Sequence, residues 1–277
     1  MNARFRLSLL CSTLCLGLTA CGGGGDAPLP PAPRPSLLNA DNMLDAVGVA
    51  TLTHRRAHGD ATQLLSAVFN NYVQQTPAGT YACAVSGTLT LTRPEPLQWH
   101  YTAQSCDTGA LLITSGQLQI DATLPQGQGL KFQLADVLYR GSASSAAALQ
   151  TVTGSLTVLI NVADDLGKRS TGSMSFTSNG RADSYSDIFI ANKTSDVGFV
   201  QYGASLKTPR FAHALKTLFD ERSKALTLEA EDGSSVTATN LGSSTRLELR
   251  ASAGAVPTLT TTVSDSELDA AVNRALQ

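Results

Sequence analysis

From residue 81 onward the chain alternates. In residues 81–92 the apolar side chains Tyr81, Cys83, Val85, Leu89 and Leu91 fall on odd positions, while Ser86, Thr88, Thr90 and Thr92 fall on even ones. A period of two makes a strand with one dry face and one wet, hydroxyl-rich face. Similar runs occupy residues 97–105, 111–124, 130–140, 151–162, 171–178, 183–190, 198–206, 224–231, 234–240, 245–251 and 258–263. The turn chemistry between them is that of hairpins. Asn179-Gly180 and Asp232-Gly233 are favoured two-residue turns, and Asp165-Leu166-Gly167 suits a turn with a glycine bulge. Strands joined this way are antiparallel.

Within the strands a Ser/Thr-Gly pattern recurs at Ser86-Gly87, Ser115-Gly116, Thr153-Gly154 and Thr171-Gly172, each followed by renewed alternation. The spacing is too irregular for a solenoid of fixed period, so these are strands of one sheet. Glycine inside a strand marks a bulge, a bend or a close backbone approach, and four of them imply curvature.

The N-terminus carries an address. Arg4 and Arg6 precede a charge-free, Leu-rich run from Leu7 to Ala20, too short to span a bilayer but suited to a secretory signal. It ends in Leu18-Thr19-Ala20-Cys21 followed by four glycines, and this resembles the lipobox of bacterial lipoproteins. The resemblance implies cleavage before Cys21, diacylglycerol on its thiol, a fatty acyl (palmitate-type) chain on its new amino group, and an anchor that spans nothing. With Gly22 rather than Asp after the cysteine, it also implies the outer membrane, with the domain facing the periplasm. Loss of the two arginines leaves 18 basic against 22 acidic side chains, so a polybasic lipid contact is not part of the anchor. Residues 1–20 are thus the expected signal peptide and 21–36, with Pro28, Pro30, Pro31, Pro33 and Pro35, a Gly/Pro-rich spacer. Residues 37–277 are then one β-rich domain.

Of five cysteines, Cys11 and Cys15 leave with the signal and Cys21 is acylated. The remaining pair, Cys83 and Cys106, in an oxidising compartment reads as a disulfide. Cys83 has the apolar parity of its strand, whereas Cys106 shares parity with His100 on the polar side. A bridge therefore requires a bulge or strand end between Tyr101 and Cys106.

Helical periodicity appears at 41–51 and at 61–75, the latter placing Leu64, Leu65, Val68, Phe69 and Tyr72 on one stripe behind an Asp60 N-cap. Ser264 and Glu267 form a capping-box pattern for a terminal helix over 268–276. Residues 208–221 fit either a short helix or a loop. The expected architecture is mainly β: a curved antiparallel meander sheet, open or half-barrel-like, of about 10 to 12 strands, with flanking N- and C-terminal helices. The whole resembles a loose group of uncharacterised β-rich lipoproteins from proteobacteria, a resemblance that carries no functional residue across.

The chain offers little recognisable chemistry. His54 and His58 are four apart with Asp60 beside them, but Arg55 and Arg56 intervene and the segment reads as a solvated connector, so no metal site is expected. His100 alternates with Trp99 and Tyr101 and belongs to the wet face. His213 has no sequence-local acid or nucleophile. Gly203-Ala204-Ser205-Leu206-Lys207 lacks the last glycine of a nucleophile elbow. Charged residues are only 15% of the chain and the formal charge is −2, which excludes a nucleic-acid footprint. The expectation is a protein without cofactor or catalysis, binding an apolar ligand or envelope partner on its curved sheet. The alternative is a structural or envelope-assembly scaffold. Two loops, 208–221 and 141–150, are where a hidden site could be built. A structure placing His213 within hydrogen-bonding distance of an Asp or Glu, with a Ser in the pocket, would overturn the non-catalytic reading.

Overall fold

Among the described residues, fourteen strands follow one another in chain order, each antiparallel to the last, in one open sheet. The structure, a computed structural model, describes residues 37–123, 129–142, 149–159, 168–192, 200–252 and 254–277. The signal, lipobox and spacer readings, Cys21 included, and the Asp165-Leu166-Gly167 turn lie outside the described residues.

The alternating runs become strands β3 (Gln98–Asp107), β4 (Leu111–Asp121), β5 (Leu130–Gly141), β6 (Gln150–Val158), β7 (Lys168–Ser178), β8 (Arg181–Asn192) and β9 (Val200–Lys207). Beyond a further strand described below come β11 (Ala225–Ala230), β12 (Ser235–Asn240), β13 (Ser244–Arg250) and β14 (Leu259–Ser264). Two places differ from the periodicity. Residues 81–92 are a hairpin, β1 (Gly79–Ala82) and β2 (Ser86–Thr92), in which Tyr81 pairs with Leu89. Cys83 N–H bonds to Gly87 O across the turn, and the alternation continuing through Val85 is coincidental, since Val85 is exposed. The ambiguous 208–221 stretch contains β10 (Leu215–Asp220), whose six residues all pair with both β9 and β11. Pairing on both edges outweighs the helical spacing of Phe211, Leu215 and Leu218.

The recurring glycines border β-bulges. Between Ser86–Thr88 and Gln104–Asp107 one extra residue sits on β3, and Ser105 there has φ 47°. Asp136 on β5 (φ 49°) and Asp187 on β8 (φ 51°) are the extra residues of two further bulges. Gly87, at φ 77°, lies opposite the first: a Cβ there would be 1.9 Å from Ser105 O. Gly116, at φ 118°, lies opposite the second, and its Cβ would be 2.5 Å from Val137 Cα. Both positions therefore exclude a side chain. Each bulge adds local twist and bends the strand, giving the sheet its coiling. The β3 bulge also flips the parity of Cys106 inward, where it is fully buried, and Cys83 and Cys106 form a disulfide with Cα atoms 5.4 Å apart.

Asn179 and Gly180 both take positive φ, 52° and 76°, as a two-residue hairpin requires. The Asp232-Gly233 turn is longer than expected. Its three residues, Glu231 to Gly233, are closed by Ala230 N–H donating to Ser234 O, with only Gly233 at positive φ.

The N-terminal helices run without a break: α1 (Met43–His54), a π turn (Arg55–Asp60) and α2 (Ala61–Val73). Asp60 is helical and caps nothing, contrary to the N-cap expectation. Helix α1 is apolar nearly all round, so it must be enclosed. Its Val49 and Leu52 join Leu64, Leu65 and Val68 of α2 against Leu91, Trp99, Tyr101, Phe132 and Leu206 of the sheet. Its Met43, Ala46, Val47 and Ala50 pack on Leu215, Leu228, Val236 and Leu247. The sheet thus turns its dry face onto a helical core. Helix α3 (Asp265–Leu276) starts at the expected capping box, Ser264 Oγ accepting from Glu267 N–H and Glu267 accepting from Ser264 N–H. It meets α1 at Gly48, where a Cβ would stand 2.7 Å from the carbonyl carbon of Ala271.

Candidate functional site

The segment expected to be a solvated connector is the most polar part of the core. Arg56, Ala57 and His58 of the π turn are buried. The Arg56 side chain is 1% exposed, and its Nη1 lies 2.5 Å from Asp183 Oδ2. Its Nε donates to Gln150 Oε1 at 2.8 Å, and Nη1 also reaches the Tyr185 hydroxyl at 3.4 Å. Burial opposes the Arg56 charge, but Tyr185, Asp183 and Tyr139 outweigh it and hold the pKa above its ordinary value. Four residues on, the Asp60 carboxylate accepts a hydrogen bond from Tyr139 OH at 2.8 Å. Burial raises the Asp60 pKa, with Tyr139, Arg55 and Arg56 pulling it back.

His54 and His58 do come together, their ring centroids 5.4 Å apart, on the continuous helix. They sit among aromatic rings rather than ligands. Tyr202 is 5.3 Å from His54 and 5.1 Å from His58, and Phe219 is 4.5 Å from His54. Their Nδ1 atoms are buried without a hydrogen-bond partner among the described residues. Burial, aided by His54, lowers the His58 pKa to about 3, and burial lowers that of His54 against the pull of Glu221. Asp60 turns toward Tyr139 instead, and among the described residues no three His, Cys, Asp or Glu side chains gather to hold a metal ion.

His100 lies between the buried Trp99 and Tyr101, itself half-exposed as alternation requires. His213 gains a partner that the sequence did not show: its Nδ1 contacts the Glu231 carboxylate across the β9–β10 connection. Ser184 lines the same cleft of about 650 Å³. An acid, a histidine and a serine therefore share one opening, with His213 bonded to the acid, which is the arrangement named above as overturning the non-catalytic expectation. The serine hydroxyl makes no hydrogen bond to His213 among the described residues, and His213 and Glu231 are 42% and 59% exposed. A working triad needs the nucleophile bonded to its base and the base held in a fixed orientation. This group has the residue types without that contact.

The other face of the same connection forms an apolar cleft of about 470 Å³. Leu37, Val49, Phe211 and Leu215 line it, with Asp45 and Arg210 among its polar groups. Asp45 Oδ1 is held by Arg274 Nη2 at 2.6 Å, and Arg210 donates to the Arg274 carbonyl, so the cleft is tied to α3. A third cleft, about 640 Å³, opens beside the π turn between Arg55, Asp60, Tyr139, Gln150, Asn179 and Asn273. No protein-family model matches this chain, and neither curated proteins nor solved structures give a match.

Proposed function

We propose that this chain is a lipid-anchored envelope protein, held in the outer membrane through an acylated Cys21 and facing the periplasm, whose folded part is a binding module without catalysis of its own. The ligand is an apolar molecule, or an apolar segment of an envelope partner, taken in the cleft of Leu37, Val49, Phe211 and Leu215. The observation carrying this reading is that cleft itself: a mostly apolar concavity with a few convergent polar groups, Asp45 and Arg210, as small-ligand sites have. The helices already occupy the dry face of the sheet, so the ligand is placed at the mouth beside α1 rather than inside the sheet. The open geometry of Ser184, His213 and Glu231 favours binding over chemistry. Nothing in the charge balance supports a nucleic-acid partner.

Native mass spectrometry of the full chain extracted in detergent tests this. The expectation is a copurifying apolar adduct that is lost in Phe211→Arg. A parent chain that carries no adduct and binds no displaceable alkyl probe would sink the proposal, as would ester hydrolysis abolished by His213→Ala in a folded variant.

The scaffold reading has one observation of its own. Among the described residues β14 pairs only with β13, and Leu259, Thr260, Thr261 and Thr262 are exposed along it without a charged side chain. Such an edge can accept a strand from a partner.

A further inference from the structure

The polar cleft beside the π turn is built differently from the apolar one and belongs to a separate site. Arg55 and Asp60 are five residues apart. On an α-helix that spacing separates side chains by about 140°. In a π turn the hydrogen bonds run from i to i+5, as Ala61 N–H to Arg56 O does here, so residues five apart stack on one side. The turn therefore puts a cation and an anion into the same opening, and π turns recur at functional sites because they re-aim side chains in this way.

Both charges have unused capacity. Among the described residues Asp60 accepts one hydrogen bond, from Tyr139 to Oδ2, and Oδ1 has no donor. Arg55, exposed at the rim, makes no ion pair among the described residues. The neighbouring groups are fixed from behind. The buried Arg56 binds Gln150 through its Oε1 and leaves the amide N–H groups of Gln150 for the cleft, while Arg56 is itself held by Asp183. Asn179 Nδ2 is tied to Leu276 O at 3.1 Å, leaving its Oδ1 as an acceptor. Asn273 adds a second amide to the wall. The cleft thus presents an anion, a cation and a set of amides, of which Asp60 and Gln150 are held in place by the buried Tyr139 and Arg56.

From this juxtaposition we infer that the cleft binds a small zwitterion of dipeptide size. The ligand's ammonium group sits on Asp60 Oδ1, its carboxylate sits on the Arg55 guanidinium, and its peptide group meets Gln150 and Asn179. A zwitterion leaves the charge balance of Arg55, Arg56, Asp60 and Asp183 unchanged, whereas a simple cation or anion would upset it. It also supplies the donor that a partly buried carboxylate lacks. Among the described residues no exposed aromatic ring lines the cleft to stack a sugar, since Tyr139 is fully buried.

Equilibrium dialysis of the full chain in detergent against labelled glycylglycine reads this out. Saturable binding is expected, with N-acetylglycylglycine and glycylglycinamide each at least about ten-fold weaker, the loss of one charge-assisted contact. Asp60→Asn keeps the Tyr139 contact and Arg55→Gln alters an exposed side chain, so both should fold and both should weaken glycylglycine binding by a similar factor. Phe211→Arg, which puts a charge into the apolar cleft, should leave glycylglycine binding unchanged, so failure here is distinguishable from failure of the apolar site. Absence of saturable binding, equal binding of the N-acetylated peptide, or preference for an uncharged disaccharide such as trehalose would each overturn the inference.

Discussion

Acid should find His58 before it finds most of the surface. His58 is 6% exposed, its ring between those of His54 and Tyr202, and among the described residues its Nδ1 has no hydrogen-bond partner. Burial, with His54 nearby, lowers its pKa to about 3 from the ordinary 6.5. The unfolded chain therefore binds a proton between these values that the folded chain refuses, and stability must fall as pH falls. The contribution is intact above pH 6.5 and is lost at about 1.4 kcal/mol per pH unit below it, reaching about 3 kcal/mol at pH 4. Urea melts at steps from pH 7 to pH 4, followed by the fluorescence of the single, buried Trp99, measure the loss. Other groups also respond to acid. Asp220 is lowered chiefly by the Ser223 backbone N–H, and Asp232 is lowered by the Ser234 and Leu37 hydrogen bonds, which outweigh its desolvation. The comparison is therefore between the parent chain and His58→Leu, in which those contributions cancel. The parent should lose about 3 kcal/mol more than the variant over that range. Parallel stability curves would show that His58 is not held neutral by the fold, and the account of the π turn as a dry, neutral pocket on its histidine side would fall with it.

Four further outcomes follow from the packing and from the proposed anchor. Arg56→Ala should cost about 3–5 kcal/mol by leaving Asp183 unpaired in a largely buried site, and adding Asp183→Ala should restore part of it; equal stability of single and double variants in urea melts would contradict this. Gly48→Ala, which on an open helix stabilises, should here cost about 1–3 kcal/mol because the new methyl meets the Ala271 backbone, and a raised melting temperature would show that α1 and α3 can move apart. Cys21→Ser should abolish labelling by a fatty-acid probe and release the chain from the membrane fraction, while reduction of the 23-residue Cys83–Cys106 link should lower stability by about 3 kcal/mol without releasing it.

What the sequence made legible was local. Alternation at Trp99, His100 and Tyr101 sorts those side chains to two faces because strand geometry leaves no choice. Ser264 and Glu267, or Asn179 and Gly180, identify a helix start and a hairpin because the required atoms lie within a few residues of each other. The Cys106 parity conflict was also a local signal, and it was resolved as it had to be, by an extra residue at Ser105. Strand β10 was hidden for the opposite reason: Leu215–Asp220 becomes a strand because β9 and β11 are already there to pair with it.

The π turn shows why the polar clefts escaped sequence reasoning. Arg55-Arg56-Ala57-His58-Gly59-Asp60 has the composition of a loop, and each of its charges would be costly inside a core if considered alone. Arg56 is tolerated there because Asp183 and Gln150 arrive from 127 and 94 residues away, and Asp60 because Tyr139 arrives from 79. None of these partners has a spacing relation that a motif could encode. The same holds for His213, whose acid, Glu231, sits on a turn that only the β9–β10–β11 pairing brings alongside. A meander of adjacent strands hides its long-range chemistry where it is crossed by a helix of the core. In this chain that crossing is the π turn, where side chains from β5, β6 and β8 meet.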